Sequence, residues 1–96
     1  MDQLPEYLNS TFLLLSKAFH KQLKQDEYEA VMRILYDHMS DRSLAKIISY
    51  FTKKDYSFVL NDVYRIGSEY VLKKNVYNEV LQKLETAGFN DWIKEE

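Results

Sequence analysis

Residues 56–72 read YSFVLNDVYRIGSEYVL, and the fold class turns on whether they form one helix or a strand ribbon with two tight turns. Tyr, Phe, Val and Ile are dense there and favour strands. Asn61-Asp62 and Gly67-Ser68 have the composition of two-residue hairpin turns. An α+β domain with a small meander at 56–72 is therefore the alternative. The polar positions decide for the helix. Ser57, Asn61, Asp62, Arg65, Ser68 and Glu69 recur at intervals of three and four, not two. Val59, Val63, Ile66 and Tyr70 then share one face, and Asp55 or Ser57 supplies the cap. Gly67 costs about 1 kcal/mol inside such a helix, so it marks a bend or an early end.

The helical period continues on both sides. Towards the N-terminus, Ser40 or Asp41 caps a helix with Leu44, Ile47, Ile48 and Phe51 at i, i+3, i+4 and i+7. Lys53 and Lys54 close it, as the negative end of a helix dipole favours. Before it, Asp26 followed by Glu29 approximates a capping box, and Tyr28, Val31, Met32, Leu35 and Met39 form the buried stripe. A first helix over 5–23 is capped by Asp2 and carries Pro5 in its first turn, where the missing N–H has no helical partner. Leu4, Leu8, Phe12, Leu15, Phe19 and Leu23 line its inner face. Towards the C-terminus, Asn75 caps a helix burying Val76, Tyr77, Val80, Leu81 and Leu84. Gly88 is the left-handed stop that turns Phe89 back onto Leu84. Trp92 and Ile93 follow in a tail that folds onto the body. The reading is all-α: a single domain over 1–96, packed as a compact irregular bundle of four or five helices.

Composition limits function. The chain has 96 residues, one domain's worth, with a formal net charge of -2. That balance gives no global attraction to nucleic acid or anionic membranes. At 46% hydrophobic and 15% aromatic, the chain is too apolar for intrinsic disorder. With no cysteine, disulfide scaffolds and thiolate metal sites are excluded. The longest apolar run, 12–15, is far short of a membrane span, and the acidic start lacks the pattern of a secretory signal. A cytoplasmic location is expected. Lysine outnumbers arginine 10 to 3 and Tyr, Asn and Ile are plentiful, a bias of AT-rich coding DNA that points to a low-GC bacterium or its phage.

Catalytic patterns are missing. No G-x-S-x-G occurs, and the two glycines stand 21 residues apart, so no glycine-rich loop can cradle a phosphate. His20 and His38 have no second histidine four residues away. Asp37 and His38 are consecutive, and consecutive helical residues do not face each other. His38 reads as a boundary histidine and His20 as part of a solvated basic face. Asp26, Glu27 and Glu29 cluster where a helix dipole explains them. No catalytic residue, cofactor or metal ligand is assigned; a minimal hydrolase or metal protein using His20 or His38 is the enzyme-class alternative.

Two surfaces offer themselves to a partner. On the outer face of the first helix, Leu13 is an apolar point among Lys17, His20, Lys21 and Lys24. The second is the set of eight tyrosines, of which Tyr50 and Tyr64 lie furthest off their stripes; tyrosine gives large contact area at low entropy cost. The expectation is a non-enzymatic module of the adaptor or inhibitor type, binding another protein through Leu13, Lys17, Tyr50 and Tyr64. Surplus aromatic stripes would also suit a homodimer. The alternative is a helix-turn-helix DNA-binding regulator over 43–58, where Leu44, Ala45 and Ile48 fit the first helix and Ser49 its turn, but Asp55 falls at a position the motif buries.

Overall fold

The computed structural model describes residues 4–20, 22–70 and 73–95. Residues 56–69 of the deciding stretch are helical without interruption, and no strand occurs among the described residues. A single 3-10 turn at Glu6–Leu8 leads into α1 (Asn9–Phe19), followed by α2 (Gln25–Tyr36), α3 (Asp41–Thr52), α4 (Tyr56–Glu69), α5 (Lys74–Thr86) and α6 (Phe89–Lys94). About 80% of the described residues are helical. The all-α bundle expected from the sequence is thus observed, with five longer helices and one short one. The short one is α6, where sequence periodicity suggested only a tail.

α2 is the central element. Tyr28, Ala30, Val31, Met32, Ile34 and Leu35 are all buried, a wider apolar arc than a surface helix carries. It packs against α3, α4 and α5, while α1 packs against α3, α5 and α6. Leu44, Ile47 and Ile48 of α3, Val59, Val63 and Ile66 of α4, and Val80 and Leu84 of α5 close the same core. The Cα radius of gyration is 12.3 Å, near the roughly 12.5 Å expected of a compact chain of this length.

Local caps hold where the signal is short-range. The Ser43 N–H donates to Ser40 Oγ (3.2 Å) at the start of α3, and the Ser57 N–H to Asp55 Oδ2 (3.0 Å) at the start of α4. Two starts shift. α2 begins at Gln25 with Lys24 as its cap, two residues ahead of the expected Asp26, because Glu27 accepts from the Lys24 N–H (2.9 Å). Glu27 is also held by Lys83 of α5 through an Nζ contact of 2.8 Å. Glu29, expected to complete the box, faces Arg65 of α4 at 3.6 Å instead. α5 begins at Lys74, not after Asn75.

The first helix differs most. It stops at Phe19, and His20 turns the chain at φ 59°, so Leu23 reaches the core from a non-helical segment, half-buried. The Asp2 cap lies outside the described residues. Gly67 neither bends nor ends α4. A Cβ there would stand 2.5 Å from the Tyr36 ring, so the glycine is set by close approach of α2. Gly88 has the expected left-handed backbone, φ 113°. Phe89 is buried, and Trp92 donates from Nε1 to Thr11 Oγ1 at 3.0 Å. That bond pairs the buried indole N–H with Thr11, the one buried polar residue among those described.

Candidate functional site

α1 and α3 each present a polar-edged row to one shared groove. From α1 come Phe12 and Ser16, one helical turn apart, and His20 follows at its C-cap. From α3 come Arg42, Lys46 and Tyr50, on one face because i, i+4 and i+8 coincide on a helix, and Lys53 at its C-cap adds a further cation. Leu4 and Pro5 close one end, and Tyr56 and Leu60 of α4 the other. The floor is apolar: Phe12 meets Tyr50 edge-on at 5.4 Å and 78° and Phe51 at 6.1 Å and 70°. Tyr50 stays 43% exposed. Among the described residues no Asp or Glu lines the groove, in a chain where acids outnumber Lys and Arg.

The cations at its end are positioned by the turn between α3 and α4. Lys53 adopts a left-handed backbone, φ 64°, as the C-cap of α3. The turn is pinned by Ser49 Oγ donating to the Lys54 carbonyl (2.6 Å) and by the Lys54 N–H donating to Thr52 Oγ1 (3.3 Å). Lys54 is directed inward, its Nζ 4.1 Å from the centre of the Tyr28 ring. Tyr28 in turn donates to Asp62 Oδ2 at 2.6 Å. Burial, then this bond to a carboxylate, pushes the Tyr28 hydroxyl well above the ordinary tyrosine range. Arg65 bridges Asp62 and Glu29 at 3.5 and 3.6 Å. Arg42, Lys46 and Lys53 make no ion pair among the described residues.

The four sequence-predicted binding residues do not converge. Tyr50 forms part of the groove wall. Leu13 is exposed on α1 and Lys17 stands one turn further along the same face, towards Glu79 and Lys83 of α5. Tyr64 is exposed on α4 and does not line the groove. Of the basic face of the first helix, Lys21 lies outside the described residues, and His20 borders the groove. Sequence reasoning missed the groove itself, and it missed Phe58, at 71% the most exposed large apolar side chain among the described residues. The signal for Phe58 was its place outside the Val59-Val63-Ile66 face. For the groove it was the i, i+4, i+11 row of Arg42, Lys46 and Lys53.

The histidines lie in different places. His38 is half-buried, edge-on to Phe89 (5.7 Å) and Trp92 (6.1 Å), beside a small pocket where Tyr7 and Ser43 share a hydrogen bond of 3.3 Å. Among the described residues no group of three His, Asp or Glu side chains is placed to hold a metal ion. No helix among them is long and apolar enough to cross a membrane. The helix-turn-helix spacing is not met: α3 runs unbroken through Ser49 to Thr52, the turn falls at 53–55, and Asp55 is exposed. Comparison with protein-family models, curated proteins and solved structures gives no match for this chain.

Proposed function

We propose that this protein is a non-enzymatic interaction module that holds another protein in the groove between α1 and α3. One observation carries the reading: the half-buried Phe12 and Leu60, over buried Phe51, form an apolar floor edged by cations with no acid among its described lining residues. Half-open aromatic and aliphatic surface of this kind is energetically costly to leave in water and is relieved by a partner. Tyr50 supplies the amphipathic ring that interface hot spots favour. The module acts by binding, as a regulator, inhibitor or adaptor does.

A photo-crosslinking benzophenone side chain at Tyr50 tests this in extracts of the source cell, with the same group at exposed Asn90 on α6 as control. The expected result is a discrete protein adduct from position 50, none from position 90, and loss of the adduct in Leu60→Asp with helicity retained by circular dichroism. Absence of an adduct at position 50, or equal labelling from both positions, refutes the reading.

A further inference from the structure

We infer that the occupant of the groove is an amphipathic α-helix with acidic side chains along one flank, laid lengthwise against α3; this rests on the interaction reading above. Three observations point there. First, Arg42 and Lys46 on α3 and Lys53 at its C-cap are spread over eleven residue steps, about 16 Å at 1.5 Å per residue, or three helical turns. Carboxylates spaced by one turn on a facing helix match that row, and no acid among the described residues lines the groove to compete. Second, the floor offers apolar side chains and no strand edge. An extended peptide seated there would leave its own N–H and C=O groups without partners, whereas a helix arrives with its backbone bonds already made. Third, the two non-glycine residues with positive φ among those described, His20 and Lys53, both border the groove. Glycine would hold either conformation at lower cost, so a ring and an ammonium group are kept at this edge against a backbone penalty.

The floor does not suit stacked bases. Phe12 meets Tyr50 and Phe51 edge-to-face, and Leu4 and Leu60 complete the surface with aliphatic groups. A flat aromatic face, which single-stranded nucleic acid requires, is not presented.

The probe is a fluorescein-labelled synthetic helix of about 16 residues, roughly 24 Å long, with Leu at every third and fourth position and Glu on one flank. It is titrated against the whole chain by fluorescence anisotropy. Saturable binding is expected, with a Lys-flanked version of the same helix about tenfold weaker or worse, a gap of ~1.4 kcal/mol. Arg42→Glu, Lys46→Glu and Lys53→Glu together should reverse that preference; all three side chains are exposed, and an unchanged circular dichroism spectrum controls for folding. Overturning results are no saturable binding of the Glu-flanked helix, equal affinity for both helices, or indifference to the triple reversal. Tighter capture of phosphatidylglycerol vesicles or of single-stranded DNA of mixed sequence than of the Glu-flanked helix also overturns it. If the position-50 crosslink forms while the Glu-flanked helix fails, the interaction reading stands and the helical occupant falls. If both fail, both fall.

Discussion

Gly67 is the position where packing and helix propensity oppose each other, and Gly67→Ala measures which wins. Propensity alone favours alanine by about 1 kcal/mol in a helix interior. Against it, the new methyl would stand 2.5 Å from Cζ and Oη and 2.6 Å from Cε1 of Tyr36. Ordinary contact needs about 3.5 Å or more, so the ring must withdraw by about 1 Å. Tyr36 is the last residue of α2, half-buried, with the Arg33 guanidinium 5.5 Å from its ring centre. Its ring end can swing, but only by giving up contact with α4. Overpacking of this kind costs about 1–3 kcal/mol. The balance is a net loss of about 1 kcal/mol, a fall in Tm of about 4–8 °C for a chain of this size. In a Tyr36→Ala background the obstacle is gone, and the same substitution should stabilise by about 1 kcal/mol. Urea and thermal unfolding followed by far-ultraviolet circular dichroism give all four corners of the cycle. A stabilising Gly67→Ala in the unmodified chain, or the same sign in both backgrounds, would show that Tyr36 does not set this position.

Two more outcomes follow from contacts between distant segments. Thr11→Val removes the acceptor of the buried Trp92 Nε1–H and should cost about 1–3 kcal/mol in urea unfolding, whereas Thr11→Ser keeps the acceptor and costs less; equal losses would contradict the bond. At Glu27, burial pushes the carboxyl pKa up, but the bonds from Lys83 and the Lys24 N–H, with the charge of Lys83, outweigh it and hold it below the usual 4.5. Its stabilising contribution is therefore full above pH 4.5 and lost as pH falls through the lower folded value. Glu27→Gln should remove that part of the acid dependence, which unfolding titrations below pH 5 can read.

Helix existence was legible wherever the apolar spacing was long and regular. Leu44, Ile47, Ile48 and Phe51, and Val59, Val63 and Ile66, are buried as their period requires. Boundaries were legible only where the cap is local, as at Ser40 and Asp55. The start of α2 differs because Glu27 accepts from the backbone N–H of Lys24, a residue whose side chain gives no cap signal, and because Glu27 is held as well from α5, 56 residues away. The stop at His20 carries no glycine or proline signal, so the first helix was drawn too long. The place of Gly67 needed Tyr36, a residue of another helix. Site residues fared similarly: Tyr50 was picked because it sits off its stripe, but its neighbours Phe12 and Leu60 join it only when α1, α3 and α4 pack. Lys17 and Leu13 share a helical face, but that face lies towards α5 at Lys17 and away from the groove that Tyr50 lines, a fact that exists only in three dimensions.

The hydrogen bond between Trp92 and Thr11 joins residues 81 positions apart, and this has a consequence for order of assembly. During synthesis the ribosome releases α1 long before the indole that covers its threonine has been translated. Until then α1 can meet α3, but one flank stays wet and its hydroxyl bonds to water. Closure by α6 is thus a late step on the nascent chain, and a partner or chaperone that recognises the uncovered flank has a time window set by translation speed.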